Sequence, residues 1–195
     1  MTHNTFNRIA QVRQRDAMWL EASFLEERSD RASLRKAFRL VRSAVKLGLR
    51  DAEGSLAYAY DRVDSVRPSR RMAIHWYRKA WRRGSWIAAT AARNLGITMR
   101  MEGRTTHAIL WFRRAIAAGD PDARYDLAKI LEKNPKHLQE AIQLLEEHIA
   151  TGPQEVYAVR PVGEFPRVNM NVRLKDEDYE EAKKLLQELK GSASA

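Results

Sequence analysis

Apolar residues recur three and four positions apart through most of this chain, the period of an amphipathic helix. The clearest block is RRMAIHWYRKAWRRG. Its Met72 and Ala73, Trp76 and Tyr77, Ala80 and Trp81 form a stripe wide enough for a helix packed on both sides. THAILWFRRAIAAG repeats that stripe with Ala108, Trp111, Phe112, Ala115 and Ile116. Before them, the pattern predicts a helix over about 10–28 with Trp19, Leu20, Phe24 and Leu25 on its apolar face. A second carries Leu34, Ala37, Leu40, Val41 and Ala44, with a turn from Asp30 and Ser33 as its N-cap. Further on, Pro121 falls just inside a helix start, and Pro135 opens the turn before HLQEAIQLLEEHIA.

Glycines punctuate these helices at a fixed period. Gly48, Gly84, Gly119 and Gly152 stand 36, 35 and 33 residues apart. Ala37, Ala73, Ala108 and Ala141 each lie 11 residues before one of them, and Leu40, Trp76, Trp111 and Leu144 lie 8 before. Ala52, Ala88 and Ala123 follow the first three by 4. Such a period is one helix–turn–helix unit, so the chain reads as a helical repeat array over 10–152, with units of about 10–48, 49–84, 85–119 and 120–152. The Trp column reads as core rather than as a ligand stripe.

Outside the array the register is lost. Residues 1–9 read as a tail, and 153–175, with Pro153, Pro161 and Pro166, as an extended segment. Asp176 caps a helix over 176–190, whose stripe of Tyr179, Ala182, Leu185, Leu186 and Leu189 either seals the open end of the array or meets a second copy. Residues 191–195, with Gly191 past the helix, read as a tail.

The string at Ala73, Trp76, Tyr77, Lys79, Ala80, Gly84 and Ala88 resembles the Sel-one-like repeat, a tetratricopeptide relative. Leu56, Ala57, Tyr60, Val66 and Ser69 match the preceding half of that repeat, and Ala108, Trp111, Phe112, Ala115, Gly119, Ala123, Leu127 and Ala128 the next copy. The resemblance covers about 13–152; Val63 and Ser65 stand where the family has loop glycines. It implies an all-α fold, a right-handed α-solenoid of about four antiparallel helix pairs plus a C-terminal capping helix. It also implies a scaffold or adaptor for other proteins, in bacteria an immunity or secretion-associated protein, with no catalytic residue.

Composition narrows the classes. At 195 residues the chain suits one domain, and no run of 18 apolar residues offers a membrane span. The start, MTHNTFNRIAQVRQRD, has no apolar signal core, so a cytoplasmic protein is expected. No cysteine is present, which excludes disulfides and thiolate chemistry. No phosphate-binding glycine loop, H-E-x-x-H or EF-hand pattern occurs, and no two of His3, His75, His107, His137 and His148 sit i, i+4 on a helix. No cofactor or metal is implied, and an enzyme is not expected. His148 shares the column of Ala80 and Ala115 and reads as a packed core histidine.

Charge changes the picture more. The net +10 is uneven: residues 1–100 hold 21 Lys and Arg against 9 Asp and Glu, and residues 101–195 hold 14 against 16. The repeat register aligns Arg42, Arg78 and Arg113, then Lys79 with Arg114, Arg35 with Arg71, and Lys46 with Arg82. Stacked units would make these a basic ridge on the convex side, readable as a solvated face, as a contact for an acidic protein partner, or as a nucleic-acid contact. An inhibitor of a nuclease would carry the opposite charge. The concave face would be lined by first helices, offering Asp51, Tyr58, Asp61, Thr90, Asn94, Tyr125 and Lys129, a mixture that suits a peptide groove. Trp19 and Trp86 lie off the core columns and serve either as anchors for a partner or as packing between units.

Overall fold

The computed structural model describes residues 11, 12, 14, 30–50, 52–62, 67–84, 88–151, 155–158, 170–173 and 176–193. Gln11, Val12 and Gln14 are helical. The rest of the expected first helix lies outside the described residues, as do Val63, Ser65, Val66 and Gly152. The chain divides into two compact units, Met1–Asp120 and Pro121–Ala195, where the sequence suggested one domain. In a repeat array each helix pair touches only its neighbours, so no single core need span the chain.

The first unit contains α1 (Arg31–Lys46), α2 (Ala52–Asp61), α3 (Arg70–Arg83), α4 (Ala88–Met101) and α5 (Thr105–Ala117), each packed on the next. Helix α1 begins three residues earlier than expected. Asp30, not Ser33, is its N-cap, with Oδ1 accepting from the backbone N–H groups of Ala32 at 3.0 Å and Ser33 at 2.9 Å. A carboxylate three residues upstream outcompetes a serine that would have to leave the first turn unmade. Ser69 caps α3 as the register implies. Gly48, Gly84 and Gly119 follow α1, α3 and α5 with φ of 88°, 61° and 88°, a region that L side chains rarely adopt.

The alanine columns are the seam of this unit. Ala37, Ala73 and Ala108 are buried, as are Ala44, Ala80 and Ala115 two turns further on. Small residues there let helix backbones approach closely, and Val41, Tyr77 and Phe112 fill the space between the two alanine rows. The tightest approach is at Gly96 in α4, where an added Cβ would sit 2.8 Å from Cε1 of Phe112. Phe38 meets Tyr60 edge-on at 5.1 Å.

The second unit contains α6 (Ala123–Leu131), a 3₁₀ turn (Pro135–His137), α7 (Leu138–Thr151), β1 (Glu155–Ala158), β2 (Met170–Arg173) and α8 (Asp176–Ala193). Pro121 precedes α6 rather than starting it, and its carbonyl lies 3.1 Å from Nδ1 of His148. His148 is 1% exposed, in the column that Ala80 and Ala115 fill in the first unit. Within the segment expected to be extended, β1 and β2 pair antiparallel, Glu155 opposite Arg173 and Val156 opposite Val172. Helix α8 packs on α7 with Ala182 buried; Tyr179 Oη donates to the Ile149 carbonyl at 3.4 Å, and Lys190 Nζ lies 2.7 Å from Glu146. It thereby caps the last helix pair. It also runs through Gly191 to Ala193, past the end expected at 190, with Ser192 Oγ donating back to the Glu188 carbonyl. The architecture is the all-α helical repeat one, with the short β-pair as an addition.

Candidate functional site

Helix α3 buries Ala73, Tyr77 and Ala80. With 3.6 residues per turn, that seating forces Arg71, His75, Arg78 and Arg82 onto one exposed row. The turn between α4 and α5 comes up beside this row because Gly103, at φ 72°, closes α4 sharply. Glu102 and Arg104 flank that glycine, and together with Ile74 and the α3 row they line a cleft of about 450 Å³. Arg82 folds back along its helix, Nε donating to the Arg78 carbonyl at 3.3 Å. Arg104 lies 3.5 Å from Glu102. Among the described residues, Arg71, Arg78 and Arg82 make no ion pair. Three guanidinium groups thus face water around the Glu102 carboxylate. His75 meets the neighbouring Trp76 edge-on at 5.3 Å.

The expected ridge is not uniform. Arg35, Arg42 and Lys46 on α1 and Arg113 and Arg114 on α5 are exposed, but they do not line this cleft. Lys79 departs from the expectation. It is half-buried, with Nζ 3.2 Å from Glu53 Oε1 and 4.3 Å from the Trp76 ring centroid. Arg83 reaches the same carboxylate oxygen at 3.0 Å. Glu53 itself is 4% exposed, and its desolvated charge draws both cations inward. Arg114 lies 4.5 Å over the Trp111 ring, the same aromatic–cation spacing one repeat later.

The inner face is thinner than expected. Tyr58 is 46% exposed, with the Arg62 guanidinium 5.6 Å from its ring centroid, and Thr90 is exposed. Asp61 does not face outwards. It is half-buried, and the Thr98 hydroxyl lies 2.9 Å from its Oδ2 and 2.8 Å from the carbonyl of the half-buried Asn94. The single hydroxyl proton can serve only one of these two acceptors at a time. Burial pushes the Asp61 carboxyl above its ordinary value, against the lowering effects of Thr98 and the Arg70 charge. Burial, and then the Asp61 charge, likewise push the Tyr77 hydroxyl up. That hydroxyl makes no well-formed hydrogen bond. Asp51, Trp19 and Trp86 lie outside the described residues.

Tyr125 is not open to a groove either, and Lys129 is tied to α8. Tyr125 is 6% exposed, donates from Oη to Glu181 Oε2 at 2.6 Å, and stacks on His148 at 5.8 Å. Lys129 Nζ lies 3.8 Å from Glu181 and 4.9 Å from the Tyr125 ring centroid. The docking of α8 covers Tyr125, while the Lys129 side chain stays partly exposed. Sequence columns identified the α3 row but not Ile74, His75, Glu102 or Arg104. The signal for the last two was Gly103, a helix stop outside the 33–36-residue ladder. Among the described residues no group of three or more acidic or histidine side chains could hold a metal ion, and no helix is long and apolar enough to cross a membrane.

No protein-family model matches the chain, and no curated protein matches it. Solved structures do. A protective antigen of uropathogenic Escherichia coli strains that displays an SLR fold is 29% identical, over 69% of this chain and 30% of its own, with a TM-score of 0.57. A Sel1 repeat protein from Oxalobacter formigenes is 22% identical, over 78% of this chain and 60% of its own, with a TM-score of 0.56. This chain therefore spans less than two thirds of either. The helix pairs, the buried alanine columns and these likenesses agree: the chain is an SLR-like helical repeat protein.

Proposed function

We propose that the chain is a protein-interaction module, an adaptor that holds a partner with an acidic surface. The observation that carries this reading is the row of Arg71, Arg78 and Arg82, exposed and free of ion pairs among the described residues beside a cleft. Guanidinium groups suit bidentate contact with carboxylates, and an excess of cations speeds encounter with an acidic surface. Tyr58, Thr90 and Asn94 on the first helices of successive pairs are the inner-face contacts of the same partner. A bacterial immunity or secretion-associated role is the form such an adaptor would take beside bacterial neighbours of this fold.

A nucleic-acid partner is the competing reading of the same arginines. Glu102 within the cleft favours the protein, because a carboxylate repels a continuous phosphate backbone but can pair with a cation of a mixed-charge peptide. The test is photo-cross-linking in the native host, with a photoreactive residue at Tyr58 in one variant and at His75, within the arginine row, in another. A nuclease-resistant adduct with one defined protein from either position supports the adaptor. Adducts lost on nuclease treatment would replace it with nucleic-acid association.

A further inference from the structure

We infer that the cleft between α3 and the α4–α5 turn is a docking site for an acidic peptide segment of a partner protein. The inference rests on the adaptor reading and names the chemistry it would take. Arg71 and Arg78 stand seven residues apart on one face of α3, about 10 Å along the axis. Arg82 folds back toward Arg78 through its hydrogen bond to that residue's carbonyl. Carboxylates on alternate residues of an extended peptide stand about 7 Å apart, so side chains two or four residues apart can reach successive guanidinium groups. A duplex is much broader than a cleft of about 450 Å³, whereas one peptide strand fits.

The remaining lining refines the ligand. Ile74 lies between the arginine positions on α3 and offers the cleft an aliphatic side chain, a seat for an apolar residue interleaved with the acids. Glu102, already beside Arg104 at 3.5 Å, disfavours an unbroken run of acids at the turn end. A cation of the ligand is accommodated there instead. The matching ligand is an extended segment with acids at alternate positions, an apolar residue among them, and a Lys or Arg at one end. Arginines without ion pairs of their own do not have to break one when a carboxylate arrives, which is why this row, and not the Glu53-bound pair Lys79 and Arg83, is the docking face.

Fluorescence anisotropy on the full chain tests this with three labelled probes: a peptide of Glu, Leu and one terminal Lys, its Gln counterpart, and single-stranded DNA of equal negative charge. The Glu peptide should bind, and the Gln peptide should bind at least about tenfold more weakly. The double variant Arg71→Glu/Arg78→Glu should lose about tenfold or more in affinity for the Glu peptide. Arg35→Glu/Arg42→Glu, an equal change of net charge on α1, should stay within about twofold. Glu102→Gln should remove the advantage of the terminal Lys, and circular dichroism shows that each variant keeps its helices. Equal losses in both double variants would overturn the site in favour of diffuse charge attraction. Preferential binding of the DNA, lost in the α3 variant, would reassign the cleft to nucleic acid. If the Glu peptide fails while Tyr58 still cross-links to a protein, the docking site falls and the adaptor stands; if both fail, both readings fall.

Discussion

Helices α3 and α7 are the same element of the repeat, and they carry opposite surfaces. Inside, they agree: Ala73 corresponds to Ala141, Tyr77 to Leu145 and Ala80 to His148, and all six are buried. Outside, the columns change sign, since Arg78 and Lys79 correspond to Glu146 and Glu147. The two glutamates are engaged within their own unit, Glu146 with Lys190 of α8 and Glu147 with Arg124 of α6 at 3.1 Å. The α3 row of Arg71, Arg78 and Arg82 has no such partner among the described residues. A repeat scaffold therefore fixes its inward positions and leaves outward ones open, either to tie the array's end together or to meet something else.

The comparison can be broken most severely from within. Phe112→Ala, at the fully buried centre of the first unit, should cost about 3–5 kcal/mol, and Leu145→Ala, its counterpart in the second, about 2–5 kcal/mol. Chemical denaturation of each variant reads both, and a negligible loss from either would mean that the shared column does not carry equal weight. Gly96→Ala should follow at about 1–3 kcal/mol, because the methyl must displace the Phe112 ring. The double variant with Phe112→Leu, which removes that ring, should recover part of the loss.

Outside, the sign change predicts an asymmetry. Glu53→Gln removes a buried carboxylate shared by Lys79 and Arg83 and should cost about 1–2 kcal/mol, discounted because both cations are partly solvated. Glu147→Gln removes an exposed partner of Arg124 and should cost less than about 1 kcal/mol. The reverse order in thermal melts would contradict the burial of Glu53. Smallest is the effect of Asp61. Its folded carboxyl binds its proton more tightly than the unfolded one, so the stability present below pH 3.8 is lost as pH rises through the raised folded value. Asp61→Asn should flatten that slope; melting points of wild type and variant should diverge as pH climbs from 3.8 and converge below it.

The repeat was legible in the sequence because backbone chemistry wrote it there. Gly48, Gly84 and Gly119 must adopt positive φ, and Ala37, Ala73, Ala108 and Ala141 must be small where helices touch. What comes to lie over an outward residue was not legible. Tyr125 looked exposed by its column because the column says nothing of α8, more than fifty residues later, whose Glu181 takes its hydroxyl. Asp61 looked solvent-facing for the same reason, until Thr98 of the next pair is seen beside it. The α3 row was found by periodicity, but the turn residues that complete the cleft belong to no column. Position within a helix is a local property; cover is not.

The pairing of Glu53 with α3 has a mechanical consequence. Between its two alanine rows the buried Tyr77 ring keys α3 into its neighbours, and a polar contact adds to that hold against rolling about the axis. Glu53 of α2 grips two consecutive turns of α3, at Lys79 and Arg83, and so acts as a keel. A roll of one residue, about 100°, would swing Arg71, Arg78 and Arg82 away from Glu102 and Arg104 and open the cleft. Glu53 touches none of the cleft residues' side chains in the lining, yet it holds the bearing on which their common aim depends.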